Sequence, residues 1–139
     1  MNKAKLTEQL KTHEGLRLKP YLCTSGKLTI GIGRNLESVG IRESEAELML
    51  NNDIEETYVR LRNAWPKIIL LDDVRQNVLI NMAFNIGVSG LMKFHKMLNA
   101  LSLTDYEQAA KEMLNSKWAK QVGYRALELS NQMRTGKYQ

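Results

Sequence analysis

The spacing of apolar residues changes along this chain, and each change marks an element. Between residues 3 and 13, Leu6 and Leu10 stand four apart among polar neighbours, which predicts a short amphipathic helix ending near Glu14 and Gly15. From Arg17 to Asn35 the period shortens, as Leu28, Thr29, Ile30 and Ile32 are punctuated by Gly26, Gly31 and Gly33. That pattern predicts two or three short strands joined by tight turns, the one β region of the chain. From about Glu43 to Arg62, Ala46, Met49, Leu50, Ile54, Thr57, Tyr58 and Leu61 return at helical spacing. They predict a helix of roughly 30 Å, long enough to bridge two lobes. Ser44 with Glu47 fits a capping box at its start, with Arg42 or Glu43 as alternative beginnings, and Trp65 and Pro66 end it.

Val74, Val78, Leu79, Met82, Ala83 and Ile86 then form the stripe of a mostly buried helix that stops at Gly87 and centres the larger core. Further helices are predicted at about 90–100, at 104–115 with Thr104 and Glu107 as a second capping box, and at about 117–122 and 124–133. The pattern is α+β, with the strands confined to the N-terminal third. No repeat, low-complexity run or linker interrupts it.

Composition fits an ordinary folded protein. The chain has 139 residues, 43% apolar and 25% charged, which suits one domain. Twenty Lys and Arg against fifteen Asp and Glu leave +5, favouring a polyanionic partner: nucleic acid, an anionic membrane surface or an anionic cell wall. The basic residues are scattered among acids with no motif gathering them beside aromatics, which argues against nucleic acid. The single cysteine makes no internal disulfide, so the fold suits a reducing cytosol. No apolar run serves as a signal peptide, and none approaches the eighteen or so residues of a membrane span. His13 and His95 have no metal-ligand spacing with Cys23, and the glycines of GIGRNL are not followed by the Lys and Ser or Thr of a phosphate loop. No metal and no cofactor are expected.

The candidate chemistry lies in HEGLRLKPYLCTSGKLTIGIGR, residues 13–34, where eight residues separate Glu14 from Cys23 and five separate Cys23 from Thr29. An acid, a potential base and a hydroxyl thus flank one Gly-rich hairpin region. Each has a plain alternative: Glu14 as a solvated helix end, Cys23 as a small buried apolar residue, Thr29 as a strand former.

The stretch resembles the phage-type lysozymes, the endolysin muramidases of glycoside hydrolase family 24, whose pattern is Glu, eight residues, Asp or Cys, five residues, Thr. The resemblance continues through EGLRLKPY, TIGIG, LINMAFNIG (79–87), the Trp118 and Arg125 pair and MRTG (133–136), nearly the whole chain. It implies a two-lobed lysozyme-like fold: an N-terminal lobe with β-hairpins at about 1–42, a connecting helix at 43–62 and a helical lobe at 63–139, with the cleft between the lobes.

By that resemblance Glu14 is the general acid that protonates the glycosidic oxygen, and Arg125, seven residues after Trp118, orients it. Thr29 holds a water on the opposite face of the sugar, so inversion is expected, with the two catalytic groups roughly 6.5 to 9.5 Å apart. Cys23 stands where many relatives carry Asp. An unperturbed thiol of pKa about 8.5 is only a few per cent thiolate at neutral pH, so two roles stay open: a thiolate favoured by His13, Lys19 or Arg125, or a thiol that shapes the water pocket while Thr29 positions the nucleophile. Gly33, with its neighbour Gly31, lets a flat sugar approach the hairpin, and Phe84 matches a position lining the substrate cleft, with plain core as the alternative. Other polar cleft positions of the family fall on Asn35, Met97 and Glu112; Met97 and Glu112 differ in chemistry and take no binding role. Arg34 and Asp53 are a possible pair joining the β region to the long helix.

The resemblance further implies hydrolysis of the β-1,4 bond between N-acetylmuramic acid and N-acetylglucosamine in peptidoglycan glycan strands. It implies delivery to the wall by a separate holin or on a virion. Synthesis in the host cytoplasm and no stable membrane insertion are expected from the single cysteine and the missing signal and span, and a monomer from the lack of an exposed apolar heptad. Two alternatives share the fold: a lytic transglycosylase acting on the same bond, and a non-catalytic peptidoglycan-binding module.

Overall fold

A computed structural model describes residues Met1–Gln139, which form two compact units, Met1–Met49 and Leu50–Gln139. Three antiparallel strands and seven α-helices make an α+β protein in which every strand belongs to the first unit.

In the first unit, α1 (Lys3–Glu14) starts at Asn2, whose side chain accepts the amide N–H of Lys5 at 3.1 Å, and it stops at Gly15, where φ is 75°. Leu6 and Leu10 lie on it as their spacing predicts, yet no residue of α1 is buried. Strands β1 (Arg17–Leu22), β2 (Leu28–Gly31) and β3 (Arg34–Asn35) follow in the order β1-β2-β3. Tyr21 pairs with Thr29 and Thr29 with Asn35, so these three form one row across the sheet. The β1–β2 register shifts between Arg17 and Tyr21, where Pro20 has no N–H to give the ladder. Thr29, 3% exposed, is the unit's buried residue.

Helix α2 (Glu43–Ala64) begins with the Arg42 carbonyl accepting the Ala46 N–H at 3.0 Å, so Glu43 is its first residue and the helix starts ahead of the Ser44 and Glu47 capping box. Its first turn is tied to the sheet by Arg34, but the acid is Glu45 and not Asp53. Arg34 Nη1 and Nη2 donate to Glu45 Oε2 and Oε1 at 2.7 and 3.1 Å, and Nη1 also donates to the Gly40 carbonyl at 3.2 Å. Glu45 lies in the first turn of α2, whereas Asp53 stands at the mouth of a hollow in the second unit beside Arg60 and Phe84.

The second unit holds the apolar core. A 3-10 helix (Pro66–Leu70), which the apolar pattern does not predict, turns the chain after Trp65 and buries Ile68. Helix α3 (Asp73–Met92) buries Val74, Val78, Leu79, Met82 and Ala83 as predicted and breaks at Gly87, whose φ of 80° and ψ of 158° leave a short final turn beyond it. Helices α4 (His95–Ser102), α5 (Tyr106–Leu114), α6 (Lys117–Val122) and α7 (Tyr124–Thr135) close around it. The predicted helix at 90–100 therefore begins later, at His95. The cap of α5 is Asp105, which accepts the Gln108 N–H at 3.0 Å; Thr104 is left outside with a left-handed φ of 54°. Leu61, Ile68, Val78, Leu79, Met82, Leu91, Met97, Met113 and Met133 are fully enclosed. Arg75 fastens the C-terminal helix: its Nε donates to the Met133 carbonyl at 2.7 Å and its guanidinium lies 3.5 Å over the Tyr106 ring.

Candidate active site

Glu14 ends α1, and Gly15 turns the chain directly into β1, so the carboxyl is brought back over the sheet it has just preceded. Its side chain lies against Gly33 in the β2–β3 turn, close enough that a β-carbon on Gly33 would stand 2.7 Å from Oε2. Gly33 has φ of 69°, a region that favours glycine, so both backbone and space require the missing side chain.

Cys23 and Thr29 flank the β1–β2 hairpin. The Cys23 N–H donates to the Lys27 carbonyl at 2.9 Å, and the Thr29 hydroxyl donates to the same carbonyl at 2.8 Å. With its proton given to the backbone, the Thr29 oxygen is left as an acceptor. Cys23 Sγ lies 3.1 Å from Ser25 Oγ. This hydroxyl first, then backbone hydrogen bonding from the Lys27 and Ser25 region, lowers the thiol from its usual range to about 7, and desolvation opposes the shift. The causes lie within the hairpin and do not include His13, Lys19 or Arg125. Ser25 was not singled out by the sequence pattern; the folded hairpin brings its hydroxyl to Cys23.

In the second unit, Arg125 and Phe84 share a hollow of about 320 Å³ with Leu50, Ile54, Ile80 and Asn81. Phe84 is 47% exposed, so it is not core. Arg125 Nε and Nη2 donate to Asn81 Oδ1 at 3.0 and 2.7 Å. Trp118 is buried, with its indole N–H donating to Asn85 Oδ1 at 2.8 Å, and fixes the approach to α7. Asn35 extends the Tyr21–Thr29 row, whereas Met97 is wholly enclosed and Glu112 accepts from Gln108 at 2.9 Å. No group of three or more His, Cys, Asp or Glu converges to hold a metal ion.

Residues 11–134 match the family model for phage lysozyme. The chain belongs to the phage lysozyme family. The matched residues include all six candidate site positions, Glu14, Cys23, Thr29, Gly33, Phe84 and Arg125. Membership places it among muramidase-type glycosidases. An endolysin of Acyrthosiphon pisum secondary endosymbiont phage 1 is 33% identical over 80% of this chain and 75% of its own length. The Dictyostelium discoideum protein named Probable T4-type lysozyme 1 is 29% identical over 94% of each chain. The pre-baseplate central spike protein of Enterobacteria phage T4 is also 29% identical over 94% of this chain, which spans only 28% of that protein's length. The matching segment therefore makes up nearly the whole of one relative and little more than a quarter of another. No helix here is long and apolar enough to cross a membrane.

Proposed function

We propose that the chain is a lysozyme that hydrolyses the β-1,4 bond between N-acetylmuramic acid and N-acetylglucosamine in bacterial peptidoglycan, with inversion, for lysis of a host cell. The observation that carries this reading is the seating of Glu14 on Gly33 beside a hairpin that presents Thr29 and an acidified Cys23. Glu14 gives its proton to the leaving glycosidic oxygen as the C–O bond breaks. Thr29, its own proton given to the Lys27 carbonyl, accepts a hydrogen bond from a water and aims the water's oxygen at the anomeric carbon. Cys23 at about 7 is substantially thiolate near neutral pH and serves as the base that takes the water's proton, or as the negative charge that steadies the positive sugar. Of the two roles left open by the sequence, the lowered value supports the thiolate.

Arg125 orients the Glu14 carboxyl, Gly33 admits the sugar ring, and Phe84 gives the ring an apolar surface. No cofactor is required by this chemistry. The enzyme acts as a monomer, made in the host cytoplasm and brought to the wall by a separate holin or on a virion. Its +5 charge draws it to anionic peptidoglycan, an attraction that weakens as salt rises.

The deciding experiment is muropeptide mass spectrometry on purified peptidoglycan, with Glu14→Gln beside the wild type. Reducing-end N-acetylmuramic acid from the wild type alone is the expected result. Anhydro-muramic products would make the chain a lytic transglycosylase, and no cleavage would make it a peptidoglycan-binding module.

A further inference from the structure

Four of the basic residues that lie scattered in the sequence come together in the second unit. Lys93 follows the last residue of α3, His95 and Lys96 stand in the first turn of α4, and Lys117 opens α6. All four are exposed around one hollow of about 510 Å³, whose wall also includes Phe94 and Trp118. Glu112 is the one acid there. None of the four basic residues enters an ion pair; those of the chain use Lys27, Arg34, Arg42, Arg60 and Arg75.

This placement runs against helix electrostatics. The N-terminal end of a helix carries partial positive charge and favours acids, yet the first turn of α4 has no acid, a His and a Lys, and no side-chain cap. Lys117 also stands in a first turn without an acid. Unpaired like charges gathered around one opening repel one another, so the arrangement costs stability until an anion enters.

The surroundings narrow the class of anion. No arginine lines the hollow, so the planar fork that grips a carboxylate at two points is missing; lysine ammonium groups are compact point charges that suit phosphate oxygens from many directions. The aromatic rings are spent on each other and offer a nucleic-acid base little to stack on. Trp118 is buried, its indole N–H is held by Asn85 at 2.8 Å, and its ring meets Phe94 edge to face with centroids 6.2 Å apart. Met97 and Glu112 add no donor, since Met97 is enclosed and the Glu112 carboxylate accepts from Gln108. Three ammonium groups and an imidazole exceed the charge of a single phosphate, so successive groups of one chain match them better.

We infer that this hollow binds the phosphodiester groups of an anionic polymer carried on the cell wall, through a site that includes none of the six candidate site residues. The wall as its setting rests on the proposed function, whereas the binding can be read without it.

The test is isothermal titration of the full chain with soluble poly(glycerol phosphate) at low salt. Wild type is compared with Lys93→Gln/Lys96→Gln/Lys117→Gln and with a control, Lys3→Gln/Lys5→Gln/Lys11→Gln, that loses the same charge from α1. The hollow variant should bind about tenfold more weakly or worse, and the control within about twofold of wild type. Salt should weaken wild-type binding more steeply than that of the hollow variant. In nitrogen-15 spectra of the wild type, the polymer should shift the amides of residues 93–97 and 115–118. If the hollow variant melts early, Lys117→Gln alone should lose about threefold, and no loss there would overturn the inference. Equal losses in the two triple variants would reduce the binding to overall charge and overturn it, as would no binding at low salt. Tighter binding of poly(glutamate) or of single-stranded DNA would also overturn it, in favour of a carboxylate polymer or of nucleic acid. None of these outcomes depends on Glu14, so peptidoglycan left intact by the wild type would overturn the proposed hydrolysis and leave this site standing.

Discussion

Gly33 and Glu14 are packed so closely that only a residue without a side chain fits between the turn and the acid. A β-carbon on Gly33 would lie 2.7 Å from Oε2 and 2.9 Å from Cδ of Glu14. Gly33→Ala must therefore push the carboxyl aside as well as strain a backbone whose φ is 69°. We expect kcat to fall by about a hundredfold or more and stability by about 1–2 kcal/mol. Gly40→Ala is the control, since Gly40 has φ of 65° but meets only the Leu36 carbonyl at 4.0 Å. It should lose similar stability and keep its activity. Turbidity assays beside thermal unfolding separate the two effects, and equal activity losses in both variants would deny the steric link to Glu14.

The fork between Arg34 and Glu45 predicts a pH dependence confined to acid. Hydrogen bonds from Arg34, then from Arg42, hold the Glu45 carboxyl at about 2, against an ordinary glutamate value of about 4.3. A carboxyl lowered on folding adds stability that is fully present above its unfolded pKa and is lost as pH falls through the folded one. The Tm gap between wild type and Glu45→Gln should thus be constant above about pH 5 and close progressively toward pH 2. A gap that persists unchanged at the acid end would show that Glu45 acts through packing instead of charge.

Why Asp53 was expected and Glu45 found shows where sequence reading stops. Periodicity located α2 to within two residues at its far end and gave the buried stripe of α3, because burial repeats every turn and leaves a trace in the letters. A salt bridge leaves no such trace: Glu45 and Asp53 both lie on α2, and only the path of the Leu36–Arg42 loop decides which one meets Arg34. Capping was lost for a similar reason. Thr104 and Asp105 are both good caps by type, and the choice fell to Asp105 because the Leu103–Asp105 turn puts Thr104 at left-handed φ. Of the candidate site, Glu14, Cys23 and Thr29 were legible through their spacing. Ser25 was not, since its effect on Cys23 depends on a hairpin folding the two side chains together. Asn81 was legible only as one of three asparagines in an apolar helix, and its partner lies 44 residues away.

Thr104 itself offers a stability gain. A β-branched residue at φ of 54° bears a left-handed conformation costing roughly 1–2 kcal/mol, and its hydroxyl returns only an exposed hydrogen bond to the Leu103 carbonyl. Thr104→Gly relieves that strain but frees the unfolded chain, so the net gain should be about 0.5–1 kcal/mol, or about 3 °C in Tm. Activity should not change, because the residue lies in the α4–α5 turn and does not line the hollow of Phe84 and Arg125. Differential scanning calorimetry checks the sign, and a lower Tm would mean that the turn tolerates threonine without strain.

Cys23 gives the sharpest chemical prediction, because its acidity is assigned to a nearby hydroxyl that can be removed. With the thiol at about 7, roughly half is thiolate at neutral pH, compared with a few per cent for an unperturbed cysteine. The rate of alkylation by iodoacetamide should therefore follow a titration centred near 7. Ser25→Ala removes the largest cause and should move the midpoint upward toward the ordinary thiol value, leaving the backbone contribution of the Lys27 and Ser25 region in place. If the thiolate takes part in hydrolysis, the acid limb of kcat against pH must move by the same amount and in the same direction, since both report one proton. Cys23→Asp, ionised well below neutrality, should extend activity to lower pH, whereas Cys23→Ser should lose it about a thousandfold. An alkylation midpoint that shifts in Ser25→Ala while the kcat profile stays fixed would remove Cys23 from the proton chemistry and leave Thr29 alone to direct the water.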